Sequence, residues 1–191
     1  MTTPSRDDLL AIVRNYYDPT NKFLYTPEAS QETKRLQALW TQWLENMGPW
    51  HDFLDGLEGE LPDFIVGDTL STSDGGPRCL VYPPKKSRPS TGNWVVVGCV
   101  SLLAPVYMVY GVERDEVDGG LRHEKARFGH PPPGMSLPAH AVARKIETTF
   151  GFSAVSREIA ETPVPLFVGG REPSEATLFH ALFTSDPSTI P

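Results

Sequence analysis

Apolar residues fill most positions between Trp94 and Val112, interrupted by Gly98, Ser101, Pro105 and Gly111. Their β-branched and aromatic character predicts two buried or half-buried strands, Trp94 to Leu102 and Val106 to Val112, turned by Ala104-Pro105. Upstream, Phe64 to Leu70 and Arg78 to Tyr82 read as a hairpin around Ser73-Asp74-Gly75-Gly76. A loop carrying Lys85, Lys86, Arg88 and Pro89 leads from that hairpin to Trp94. Successive strands with short turns predict an antiparallel meander.

The period changes on either side of this block. Leu9, Leu10, Ile12, Val13, Tyr16 and Tyr17 recur at helical spacing, which predicts a helix from Arg6 to Tyr17 with Ser5 as its cap. Thr26-Pro27-Glu28 has the chemistry of a helix start, and Leu36, Leu39, Trp40, Trp43, Leu44 and Met47 supply its apolar face. Gly48-Pro49 breaks or kinks that helix before Trp50, Phe53, Leu54 and Leu57 resume the spacing. The spacing places the tryptophans in a core rather than at a contact surface. Asp115 to Met135 reads as a long polar connection, and Ser136 to Phe150 as a helix stopped by Gly151. Val164 to Val168 reads as an edge strand because of Pro163 and Pro165. Ala176 to Phe183 suits either a helix or a strand.

These elements predict a single α+β domain over 1–191: a helical part at 6–58, a sheet-rich part at 63–113, and a helix with a C-terminal segment at 137–186. The sheet is expected to be mainly antiparallel, with about four to six strands and the helices packed on one face. The nineteen prolines cluster as loop punctuation. Neither a signal peptide nor a membrane span is expected, and Cys79 and Cys99 suggest no disulfide framework or metal quartet, so a reducing cytoplasm is the simplest setting.

Charge narrows the partners. A net charge of −7 disfavours nucleic acid, whose phosphates need a basic face. From Leu36 to Pro77 there is no Lys or Arg, while Glu45, Asp52, Asp55, Glu58, Glu60, Asp63, Asp68 and Asp74 supply acids enough for the whole net charge. This stretch reads either as the solvated back of amphipathic helices or as a surface that meets a basic partner.

Catalytic chemistry is sparse. There is no Gly-x-Ser-x-Gly, and Cys99 lies among valines as a small hydrophobe would. The glycine pairs at 75–76, 119–120 and 169–170 lack phosphate-loop spacing, and Pro62-Asp63 lacks the acid-x-Lys partner of a metal-dependent nuclease. His123, Glu124 and His130 share one polar segment, and they are the residues an alternative metal-dependent hydrolase would use. Otherwise no catalytic residue, cofactor or metal site is expected, and a non-enzymatic adaptor in a secretion or regulatory assembly shares the same features.

Thr162-Pro163-Val164-Pro165, Gly170 and the run Glu175 to Asp186 resemble the C-terminal end of myxobacterial polymorphic-toxin immunity proteins. Trp94 to Val97, Val100 to Leu103 with Pro105 and Tyr107, and the helix end Phe150-Gly151 are similar too. The resemblance covers the C-terminal half and rests on hydrophobic pattern. It implies a cytoplasmic protein that binds and neutralises a cognate toxin without catalytic residues of its own, and it places an acid where this chain has His180. On that reading the toxin presents a basic active-site face, and Asp52, Asp55, Glu58, Glu60 and Asp63 are the expected contact residues.

Overall fold

Ser5 begins the first helix: its side chain accepts a hydrogen bond from the Asp8 amide, and the Asp8 carboxylate answers from N3, closing a capping box. In a computed structural model, which describes residues 3–20, 29–84, 93–117, 121–129 and 133–190, this helix is α1, Arg6–Val13. It is followed by α2 (Gln31–Leu44), α3 (Gly48–Glu60), β1 (Ile65–Thr69), β2 (Arg78–Tyr82), β3 (Asn93–Val100), β4 (Val106–Val117) and β5 (Leu121–Arg127). The chain then forms α4 (Ser136–Phe150), β6 (Ser153–Ala154), α5 (Arg157–Ala160) and α6 (Leu178–Leu182).

The strands form one sheet in the order β1-β2-β3-β4-β5, every neighbour antiparallel, with β6 added parallel to the start of β4. The α+β class and the meander expected from the sequence are both present. Helices, however, cover both faces of the sheet rather than one. Leu80, Val95, Val97, Cys99, Met108, Tyr110 and Val112 face a cluster built from α1, α2, α6 and the segment Val164 to Val168. Cys79, Val81, Val96, Val100 and Tyr107 face the other way, onto Trp50, Phe53 and Leu57 of α3 and Ala139, Val142 and Ile146 of α4. The physical reason lies in β3, whose unbroken apolar run Trp94-Val95-Val96-Val97 is the mark of a strand buried on both sides.

Several boundaries moved. α1 stops at Val13, a turn covers Arg14 to Tyr16, and Tyr17 lies beyond it with a buried hydroxyl that donates to the Ala181 carbonyl at 2.8 Å. α2 starts at Gln31, capped by Ser30 accepting from the Thr33 amide at 3.2 Å, whereas Thr26-Pro27-Glu28 lies outside the described residues, as does the loop around Lys85 to Pro89. The expected connection from Asp115 instead continues β4 and adds β5. Across that pair the register sets Glu113 beside Lys125, Arg114 beside Glu124 and Glu116 beside Arg122, three pairs of opposite charge. The sequence of this ribbon has no regular apolar alternation, so hydrophobic period does not mark it.

Val164 to Val168 is not a strand. Pro163 and Pro165 lack the N–H groups of a ladder, and the segment is tied only by isolated bridges, Pro163 with Thr177 and Val168 with Arg171. Its Val164, Leu166 and Val168 are buried all the same. The open choice over Ala176 to Phe183 resolves as the helix α6. Gly151 ends α4 in the left-handed region at φ 69°, where glycine is favoured.

Candidate partner-binding surface

On α3, Trp50, Phe53 and Leu57 are buried, and Trp50 stacks on Phe53 with ring centroids 5.0 Å apart. Trp50 also meets Trp43 edge to face at 5.8 Å, and Trp43 meets Trp40 in the same way at 5.5 Å. The aromatic series therefore belongs to the packing, in keeping with its helical spacing. Burying that side leaves Asp52, Asp55 and Glu58 on the opposite one, all exposed, with Glu60 and Asp63 exposed beyond them.

This arrangement opposes the helix's own electrostatics. The C-terminal end of a helix favours cations, and like charges three or four residues apart repel. α3 has no acid in its first turn and no base in its last, so Glu58 and Glu60 stand at the unfavourable end while Asp52 and Asp55 repel along the middle turns. Among the described residues only Glu60 of these acids has a cation partner. The Arg144 guanidinium of α4 donates to it at 2.8 Å and Lys145 Nζ lies 3.6 Å away, and the Arg144 hydrogen bond holds the Glu60 carboxyl below its usual range. Beside this pair Glu60, Leu61, Leu137, His140, Ala141 and Arg144 line an open hollow of about 510 Å³.

Two acids of the cation-free stretch point inward and serve the fold. Asp68 accepts from Trp50 Nε1 at 2.9 Å, joining β1 to α3. Asp74 is buried and accepts from the Ser185 amide at 3.1 Å, while its carbonyl accepts from Trp40 Nε1 at 2.7 Å. Burial pushes the Asp74 carboxyl up, against the hydrogen bonds from Ser185 and Thr184. Glu45, Asp52, Asp55, Glu58 and Asp63 are thus the exposed acids with no cation partner supplied by α3 itself.

The other chemically suggestive residues do not converge. His123 and Glu124 are consecutive positions of β5 rather than loop residues, and His130 lies outside the described residues. Among the described residues no group of three or more His, Cys, Asp and Glu is placed to hold a metal ion. Cys79 and Cys99 lie on opposite faces of the sheet, and burial pushes the Cys79 thiol up to about 12 and the Cys99 thiol in the same direction, so both stay neutral at physiological pH. No helix among the described residues is long and apolar enough to cross a membrane.

His180 has a structural task. It sits at N3 of α6, where its Nδ1 accepts from the Thr177 amide at 3.1 Å, the part that Glu or Gln plays in a capping box. Burial, with Arg171 nearby, pulls its pKa from 6.5 down to about 4. Because the unfolded chain binds the proton first, this contribution to stability is complete above pH 6.5 and lost as pH falls toward 4. After allowance for the half-exposed ring, the loss is about 1–2 kcal/mol. His180→Gln keeps an acceptor without the titration, so the stability gap between parent and variant is expected to shift in the variant's favour by that amount from pH 7 to pH 4. Urea titrations at both pH values check it, and a constant gap would remove His180 from the acid response.

Compared with protein-family models, curated proteins and solved structures, the chain finds no match. Its fold and surface define an α+β protein with an exposed row of acids on the outer side of α3.

Proposed function

We propose that the protein is an immunity protein that neutralises a cognate polymorphic toxin by stoichiometric binding in the cytoplasm. The row Asp52, Asp55 and Glu58, continued by Asp63, meets a basic active-site face of the toxin and covers it. One observation carries this reading: exposed acids set against one another, the last of them, Glu58, also against the helix dipole, with no compensating cation on α3. Local rules broken on a surface without structural return are commonest where a surface has a partner. Opposed charge then speeds encounter and selects the partner, while the rigid helix beneath holds the acids in place. The C-terminal resemblance described above points the same way.

The test is genetic and biochemical together. The tagged chain is expressed in its native host and whatever it retains is identified by mass spectrometry. The expected partner is one large protein whose C-terminal domain is lethal alone and harmless when this chain is co-expressed. Recovery of no such partner, together with failure to protect against any toxin domain encoded by that host, overturns the reading.

A further inference from the structure

Among the described residues, β1 ends the sheet: it pairs with β2 on one side, and no strand pairs with its other edge. The unpaired backbone groups of such an edge are a template for an added strand, and proteins usually blunt them with lysine, proline or a bulge. The opposite margin follows that rule, since β5 carries Arg122, Lys125 and Arg127. β1 has less protection. It reads Ile-Val-Gly-Asp-Thr, with Asp68 as its one charge and no cation or proline, and its register with β2 runs unbroken from Ile65 with Tyr82 to Thr69 with Arg78.

Apolar side chains stand exposed around this edge. Ile65, which opens β1, and Leu70, the residue after its end, are 40% and 39% exposed. With Leu44 they are three of the four large hydrophobic residues that stand exposed among the described residues, and all three fall in the stretch without Lys or Arg. α3 packs against β1 through the side opposite its acidic row, and the Trp50 to Asp68 hydrogen bond fixes the two together. Asp63 stands two residues before the strand, exposed.

We propose that β1 is an acceptor edge for an extended basic segment of the partner, which adds to the sheet as a further strand. The inference rests on the immunity reading and names how the partner is held. Main-chain hydrogen bonds to β1 supply affinity; Ile65 and Leu70 receive apolar side chains, and Asp63 receives a lysine or arginine. Charge also decides between occupants. A second copy of this chain would bring its own net negative charge against the first, and like charges oppose that pairing, whereas a basic strand is drawn in.

The test uses a short synthetic peptide of alternating lysine and valine and two relatives of it: one N-methylated along a single edge, and one with glutamate for lysine. The parent peptide is expected to bind the full chain, to slow amide exchange in β1, and to lose binding in both altered forms. Ile65→Lys, a change at an exposed position, is expected to weaken binding by about tenfold or more without altering the melt. Failure of the parent peptide to bind, undiminished binding of the N-methylated form, or protection confined to α3 overturns the proposal. Cell protection separates the two readings. A captured toxin still neutralised in full by Ile65→Lys removes the edge and leaves immunity standing, and peptide binding without any neutralised toxin does the reverse.

Discussion

Gly76→Ala is expected to prevent folding or to lower stability by at least the roughly 1–3 kcal/mol typical of overpacking, because the obstacle is backbone. A methyl group there would fall on the Val100 carbonyl oxygen, with the Val100 carbonyl carbon at 3.0 Å and Ser101 Cα at 3.2 Å. No flexible side chain can yield, because the obstacle is the bend between β3 and β4. The same turn is bound to that bend on both sides of Gly76: the Leu102 amide donates to the Gly75 carbonyl at 2.9 Å, and the Val100 amide to the Pro77 carbonyl at 3.2 Å. Gly75 is wedged in turn against the main chain of Ala181 and Leu182. The control is Gly59→Ala on α3, where nothing stands within 4 Å of the added carbon. A helical glycine in open space costs about 0.5–1 kcal/mol relative to alanine, so this variant is expected to gain that much. Soluble yield and urea midpoints of both variants decide the matter; a Gly76→Ala protein as stable as its parent would show that the turn can move away from β3.

That glycine pair illustrates what a sequence conveys and what it withholds. Ser73-Asp74-Gly75-Gly76 reads as a turn by composition, and a turn is present, but neither glycine is needed for a positive φ. Both are needed because two other stretches of backbone press on them, and tertiary approach of that kind leaves no local pattern. Elements whose identity rests on side-chain period were legible: β2 runs Arg78–Tyr82 and α4 runs Ser136–Phe150, as their residues predict. The β4–β5 ribbon was less so, although Asp118-Gly119 between runs of opposite charge was available as a hairpin signal. The buried segment Val164 to Val168 has the composition of a strand, while its prolines deny it the hydrogen bonds of one.

The acidic surface divides in the same way. Sequence places the acids on the outer side of α3, because Trp50, Phe53 and Leu57 claim the inner side. It could not show that Arg144 and Lys145, far along the chain, pair with Glu60, nor that Asp68 and Asp74 turn inward to hold Trp50 and Ser185. Eight acids in a row of sequence thus become a smaller set in space, and that set is the one to test.

Reversing Asp52, Asp55 and Glu58 to lysine together is expected to slow association with the captured toxin by about 10–1000-fold at low salt, with a smaller loss near physiological ionic strength. Glu60 is left in place because its reversal would also break the contact with Arg144 and Lys145 that ties α3 to α4. The direction of the stability change makes the result informative. Lysine at these positions replaces acid–acid with lysine–lysine repulsion along the helix and suits its C-terminal end, so the triple variant is expected to melt at the same temperature or slightly higher, gaining up to roughly 0.3–1 kcal/mol for the residue nearest that end. Loss of binding joined to an unchanged or raised melt assigns these acids to recognition, since a structural role predicts a lowered melt. Association rates measured across a salt series, beside thermal melts of the same preparations, separate the cases: a rate that stays at the parental value in the folded variant removes this face from the interface.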